Sequence, residues 1–334
     1  MKKILSILLA LVIVLSFNTI SFADDGSANN LQSEIYKEIK FDYTYLTKVD
    51  ENVADAYFES IQSSEGVEAN DEASIEEVLS LEEMNLEEIV IHLQHNYDEI
   101  CSTFDSTEKE NLDKYFLRKI IDYYLDNDQE RQELKNLYDL SALLSDSVEP
   151  STRAATVCKL TVFSDISTRA GTSSGHDVGL GAHSWLMFKN TSASSIKVGG
   201  LSVPAGKSVT IGTWGVLGSY KGAWYNYEPI CIKEGKYNKR YSKSIDINSS
   251  TLTTLNTLLK SFDSWTLTAN CSAYARIIWN RSGGTILSSG VVNTPMALAN
   301  SIKSTDHYNY NASCVGTGKV YYNATTPTRY PSLE

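Results

Sequence analysis

The chain has 334 residues, of which 42% are hydrophobic, 21% charged and 10% aromatic. That is enough apolar material for one or two ordinary cores, and it excludes a collagen, a coiled-coil rod and a low-complexity polymer. The formal charge of −12 divides into opposed halves: residues 24–150 hold 33 acidic against 9 basic side chains, net −24, and residues 151–334 hold 8 against 18, net +10.

Lys2 and Lys3 precede an apolar run from Ile4 to Phe17, which is shorter than the ~20 residues of a membrane-spanning helix. Ser21 and Ala23, followed by Asp24 and Asp25, have the small-residue pattern of a signal-peptidase site. Residues 1–23 are therefore expected to be a signal peptide and the protein to be secreted, extracellular or cell-wall associated, with no transmembrane span.

Seventeen of the 19 glycines and all 6 prolines lie from residue 150 onward, so residues 24–144 are expected to be helical and the remainder rich in strands and turns. Helices are expected over Ser74–Ser80 and Asn85–Tyr97. A third begins at Thr107 and Glu110, which have capping-box spacing, and carries Leu112, Phe116, Ile120 and Tyr123. Leu134, Leu137, Leu140 and Leu144 continue the pattern. Residues 145–155, SDSVEPSTRAA, form the expected linker.

From residue 156 to 334 the period changes to two. Cys158, Leu160 and Val162 alternate with polar neighbours, as do Tyr241, Lys243 and Ile245; His183–Lys189 and Lys207–Gly212 are also strand-like. Cys231 is expected on a strand, and Trp265, Leu267 and Ala269 alternate like another. Helices are expected over Leu252–Phe262 and Met296–Ile302, the latter with Thr294 as cap and Pro295 at the first helical position. The fold class is α+β: an acidic helical region followed by a domain with an antiparallel sheet.

Five cysteines leave at least one thiol unpaired within a monomer. Cys271 follows Asn270, a residue type suited to an N-cap, and precedes the helical pattern Ala273, Ile277, Ile278. A thiol at a helix N-terminus is stabilised as thiolate, and the free N–H groups of the first turn can hold an oxyanion. Disulfides or inert burial are the competing reading for the cysteines as a set. In the second region the available bases are His176, in a Gly-rich loop, His307, and His183, which opens the alternating segment HSWLMFK. A strand-borne histidine facing a helix-borne cysteine is the geometry that thiol hydrolases need, although an apolar strand face more often simply packs its histidine.

A glycine-flanked HSWLMF strand, a Gly-Thr-Trp-Gly turn at Gly212–Gly215, the segment AWYNYE and Asn270-Cys271 opening a helix together resemble the circularly permuted branch of the NlpC-type papain-like superfamily. That branch includes lecithin:retinol acyltransferase-like enzymes. The likeness covers roughly residues 155–325 and implies a papain-like domain with Cys271 as nucleophile and His183 as general base. No histidine stands on the strand where many relatives carry the third polar group; Thr210, Thr213, Asn226 and Glu228 are the alternatives, with Glu228 and Thr213 put forward as catalytic. Trp185, Trp214, Trp224 and Asn270 are put forward as substrate-binding, with Tyr225 as a further groove-lining aromatic; aromatic residues in such motifs are also commonly core.

The expected reaction is acyl transfer through a thioester on a peptide or amide substrate, with N–H groups near Cys271 and Ser272 holding the oxyanion. A lipid acyltransferase is a variant within the same class. A non-catalytic surface-binding module on the same scaffold is the alternative from outside it. Cofactors and metals are not expected. The charge split suggests an intramolecular contact in which the acidic region masks the basic domain as a pro-region would, with Arg153 and Arg169 as processing points. The basic domain is matched to an anionic cell-wall polymer; nucleic acid is not expected, because its Lys and Arg are scattered.

Overall fold

A computed structural model of the chain describes residues 74–76, 84–130, 155–166, 183–266, 269–289 and 293–334. The expected leader, residues 77–80 of the first expected helix, the expected helix over 134–144, most of the expected linker, His176, Arg153 and Arg169 lie outside the described residues.

In the acidic region, residues 74–76 form a helical turn ahead of α1 (Leu86–Cys101) and α2 (Ser106–Asp126). α1 starts where Asn85 and Glu88 exchange hydrogen bonds: the Glu88 N–H donates to Asn85 Oδ1 at 3.0 Å and the Asn85 N–H to Glu88 Oε2 at 2.9 Å. The capping box of α2 is formed by Asp105 and Glu108 rather than by Thr107 and Glu110. Asp105 Oδ1 accepts from the Thr107 and Glu108 amides at 2.8 and 3.0 Å, and Glu108 Oε2 accepts from the Asp105 amide at 2.7 Å. A carboxylate at the positive helix end outcompetes a hydroxyl two residues later. Leu112, Phe116, Ile120 and Tyr123 face the partner helix, packing with Tyr124 against Val90, Leu93 and Tyr97, and the Tyr97 phenol donates to Asp113.

The remainder is built on an antiparallel sheet. Its strands are β1 (Thr156–Asp165), β2 (His183–Asn190), β5 (Ser208–Leu217), β6 (Tyr220–Tyr225), β7 (Arg240–Asn248), β8 (Asn309–Tyr310), β9 (Tyr321–Tyr322) and β10 (Thr328–Arg329), in the order β10-β9-β6-β5-β2-β1-β7-β8. A separate hairpin, β3 (Ile196–Val198) and β4 (Leu201–Val203), turns through Gly199-Gly200, where Gly199 holds φ +56°, a conformation open to glycine at little cost.

Strand alternation gives the sheet two different faces. One presents Leu160, Val162, Leu186, Phe188, Val209 and Ile211 to α4 (Ser249–Ser261), α5 (Cys271–Arg281) and α6 (Pro295–Lys303). The other presents Phe163, Trp185, Met187, Trp214 and Trp224 to α3 (Glu228–Lys233) and to loops carrying Tyr237, Cys314 and Val320. The architecture is α+β. α6 starts with Thr294 as its cap and Pro295 at its first position.

Three expectations are corrected. Gly212–Gly215 is not a turn but the middle of β5, because both glycines sit under bulky neighbours that need their missing side chains. Cys231 lies on α3, whose first turn is opened by Pro229. Phe262–Thr266 and Ala269–Asn270 form no strand; the loop is held instead by packing against the β5–β6 hairpin and α2. Among the described residues, no helix is long and apolar enough to cross a membrane.

Candidate active site

The site forms where the start of α5 meets the start of β2. Asn270, in extended backbone, caps α5: its Oδ1 accepts from the Ser272 and Ala273 amides at 2.9 and 3.2 Å. Its Nδ2 donates to the Asn293 carbonyl at 2.8 Å. The cap sets Cys271 at the first helical position, half-buried. β2 pairs with β5 only over Leu186–Lys189, so its first residues are free of that neighbour. There, Ser272 Oγ lies 3.2 Å from Ser184 Oγ, which lies 2.8 Å from Ser164 Oγ; Ser164 in turn donates to the Pro295 carbonyl at 2.5 Å. This chain of buried hydroxyls ties α5, β2, β1 and α6 together directly behind Cys271.

His183, the first residue of β2, is the charged neighbour that draws the Cys271 thiol down most. Its Nε2 lies 3.4 Å from Glu228 Oε1. Glu228, fully buried at the start of α3, also accepts a 2.6 Å hydrogen bond from Thr210 Oγ1. A Cβ on Gly212 would stand 2.6 Å from Glu228 Oε1 and 2.9 Å from His183 Nε2. The absent side chain is therefore what lets the imidazole–carboxylate contact cross β5. Trp214 lies against the imidazole at 4.2 Å between ring centroids, with Trp185 and Tyr237 at 5.7 and 5.6 Å.

These surroundings drive the two titrations apart. Burial alone would lift the Cys271 thiol, but the His183 charge and hydrogen bond, the Ser184 amide and the Ser272 hydroxyl hold it below its ordinary value. Burial alone would lower His183, yet Cys271 and Glu228 on its two sides raise it to about 9. The two shifts run in the directions that favour a thiolate–imidazolium pair. Cys158, Cys231 and Cys314 behave oppositely, burial pushing each up to about 12. All five cysteines are free thiols.

The other expected residues fall into place unevenly. Thr213 shares the sheet face of Val209 and Ile211, away from His183, and its hydroxyl has no hydrogen-bond partner among the described residues; Thr210 holds the carboxylate instead. Trp214 lines the histidine. Trp185 is buried beneath it, stacked on Phe163 at 5.2 Å and donating toward Cys314 Sγ at 3.4 Å. Trp224 packs with Tyr220, Tyr322 and Tyr330, and Tyr225 belongs to the helix-covered core. Both polar ends of Asn270 are occupied by the cap and Asn293. The Ser272 amide is spent on that cap, so it does not face an oxyanion as expected. Compared with protein-family models, curated proteins and solved structures, the chain matches none. The serine chain and Tyr237 carry no sequence motif and were not foreseen. Among the described residues, no group of three or more His, Cys, Asp or Glu side chains is arranged to hold a metal ion.

Proposed function

We propose that the protein is a secreted cysteine hydrolase of the papain-like kind, cleaving a peptide or amide bond through a thioester at Cys271. The observation that supports this most directly is the buried His183, its ring 3.4 Å from the Glu228 carboxylate and its charge holding the Cys271 thiol below its ordinary value. The thiol proton resides on His183, and the thiolate attacks the carbonyl carbon. The Cys271 N–H at the helix start faces the developing oxyanion. Imidazolium gives its proton to the departing amine as the C–N bond breaks, leaving an acyl-thioester. His183 then takes a proton from water, whose oxygen attacks the thioester; the carboxylic acid leaves and the thiol is restored. Glu228, held by Thr210, orients the ring and stabilises its charge.

The leader-like residues 1–23 and the +10 charge of residues 151–334 support action outside the cell on peptides of the cell wall, where anionic polymers attract a basic surface. The test is incubation of the full mature chain with wall-derived peptides, following amine release and the mass of Cys271. Turnover with an acyl adduct, both absent in Cys271→Ala, is expected; neither product nor adduct over a broad peptide and amide panel overturns the reading.

A further inference from the structure

The loop that presents Cys271 is gripped from two sides. Below it, Trp265 lies over Gly215, where an added Cβ would stand 3.2 Å from the indole, and the Asp263 carbonyl fills the space a side chain on Gly222 would need. The Ala223 N–H donates to Asp263 Oδ1 at 3.3 Å. Above it stands α2. Trp265 packs against the core of the helical pair, Lys221 bonds Glu130 at 2.8 Å, and Tyr124 Oη lies 3.2 Å from Thr266 Oγ1, both residues fully buried. Thr266 closes the turn before the nucleophile: its Oγ1 accepts from the Ala269 amide at 2.9 Å, and its own amide donates to the Ala269 carbonyl at 3.4 Å. Ala269 is followed directly by the cap Asn270 and by Cys271.

We propose that Tyr124 is a positioning residue for the nucleophile, acting through Thr266, so that the acidic helical pair is a built-in support of the active site rather than a cover over it. This inference rests on the proposed function. The tyrosine hydroxyl fixes the Thr266 hydroxyl, which fixes the Ala269 amide. That turn sets the distance from Cys271 to the imidazole. When the turn loosens, the thiol–imidazole contact lengthens, the thiolate is less stabilised, and the thiol titrates closer to its ordinary value.

The alkylation rate of Cys271 in the full mature chain, read by peptide mass across pH 5 to 10, tests this with isosteric variants. Tyr124→Phe and Thr266→Val are expected to move the acid limb to higher pH and to slow alkylation at pH 6 by about three- to tenfold, the effect of losing one buried hydrogen bond. Thr266→Ser, which keeps the hydroxyl, is expected to retain the wild-type profile. Tyr97→Phe, which loses a bond inside the helical pair, is expected to retain it too and serves as the control for general loosening. Coincident profiles for wild type and Tyr124→Phe overturn the inference, as does an equal shift in Tyr97→Phe. Faster alkylation in Tyr124→Phe would make the helical pair a cover. If wild-type Cys271 itself reacts as an ordinary thiol, the proposed function falls first, and no activated thiolate remains to be positioned.

Discussion

In the proposed mechanism Gly212 and Glu228 matter as much as Cys271 and His183, because they determine what the imidazole is able to do. Gly212→Ala would place a methyl group 2.6 Å from Glu228 Oε1, forcing the carboxylate or the imidazole aside. The expected result is loss of most rapid alkylation at neutral pH, with the thermal midpoint changed far less. Glu228→Gln keeps the shape but removes the charge facing His183; His183 should titrate below about 9, narrowing the thiolate–imidazolium window from its alkaline side. For the intact site, kcat/KM should be bell-shaped. It rises as the Cys271 thiol ionises below its ordinary value, and it falls above about pH 9, where the imidazolium that protonates the leaving amine is lost. A single sigmoid with a midpoint near an ordinary thiol value would contradict this. At this scale the sequence announces Cys271 and His183, since a scarce histidine and a capped cysteine are local features. Thr210 and Thr213 differ only in strand parity, which two glycines in the same strand obscure.

The elements that carry the site are mostly set by short-range chemistry. Asn270 is readable as a cap and performs that role, accepting two amides of α5. Asn270→Ala is expected to cost about 1 kcal/mol of stability, measured by denaturant titration, and to raise the acid limb of Cys271 alkylation, because the first turn would fray. β1, β2 and β7 follow from alternation; α4 and α6 follow from leucine spacing and from the Thr294-Pro295 start. What was misread depends on contacts distant in sequence. Gly212–Gly215 has the composition of a turn, yet its glycines serve close approach by Glu228 and Trp265. Cys231 sits in an apolar run of alternating appearance that becomes a single helix because Pro229 opens it. The α2 box shifts by two residues because Asp105 and Thr107 both suit the cap, and the carboxylate is the better acceptor for the helix-end amides.

At the scale of the whole molecule, charge and composition separate an acidic part from a basic one; among the described residues the acidic part holds helices and the sheet lies in the basic part. They carry no information on where the two meet. That meeting point is a hydroxyl pair, Tyr124 with Thr266, at a separation of 142 residues, together with the Lys221–Glu130 ion pair; neither leaves a local pattern. Exposed ion pairs of this kind contribute little, so raising salt should leave the Cys271 profile almost unchanged. A steep salt dependence would instead mean that long-range charge holds the halves together. The odd cysteine count likewise resolves only in three dimensions. The five thiols are all free, so thiol titration of the unfolded mature chain should give five per molecule with or without prior reduction; a lower count before reduction would reveal a disulfide.

The most direct test of the central claim is the pH dependence of Cys271 alkylation in the mature chain and in His183→Ala. The account predicts rapid modification of Cys271 near neutrality, far ahead of the buried Cys158, Cys231 and Cys314, falling by about 10²-fold or more without the imidazole. Equal rates in the two proteins, or a Cys271 that reacts only at alkaline pH, would contradict it.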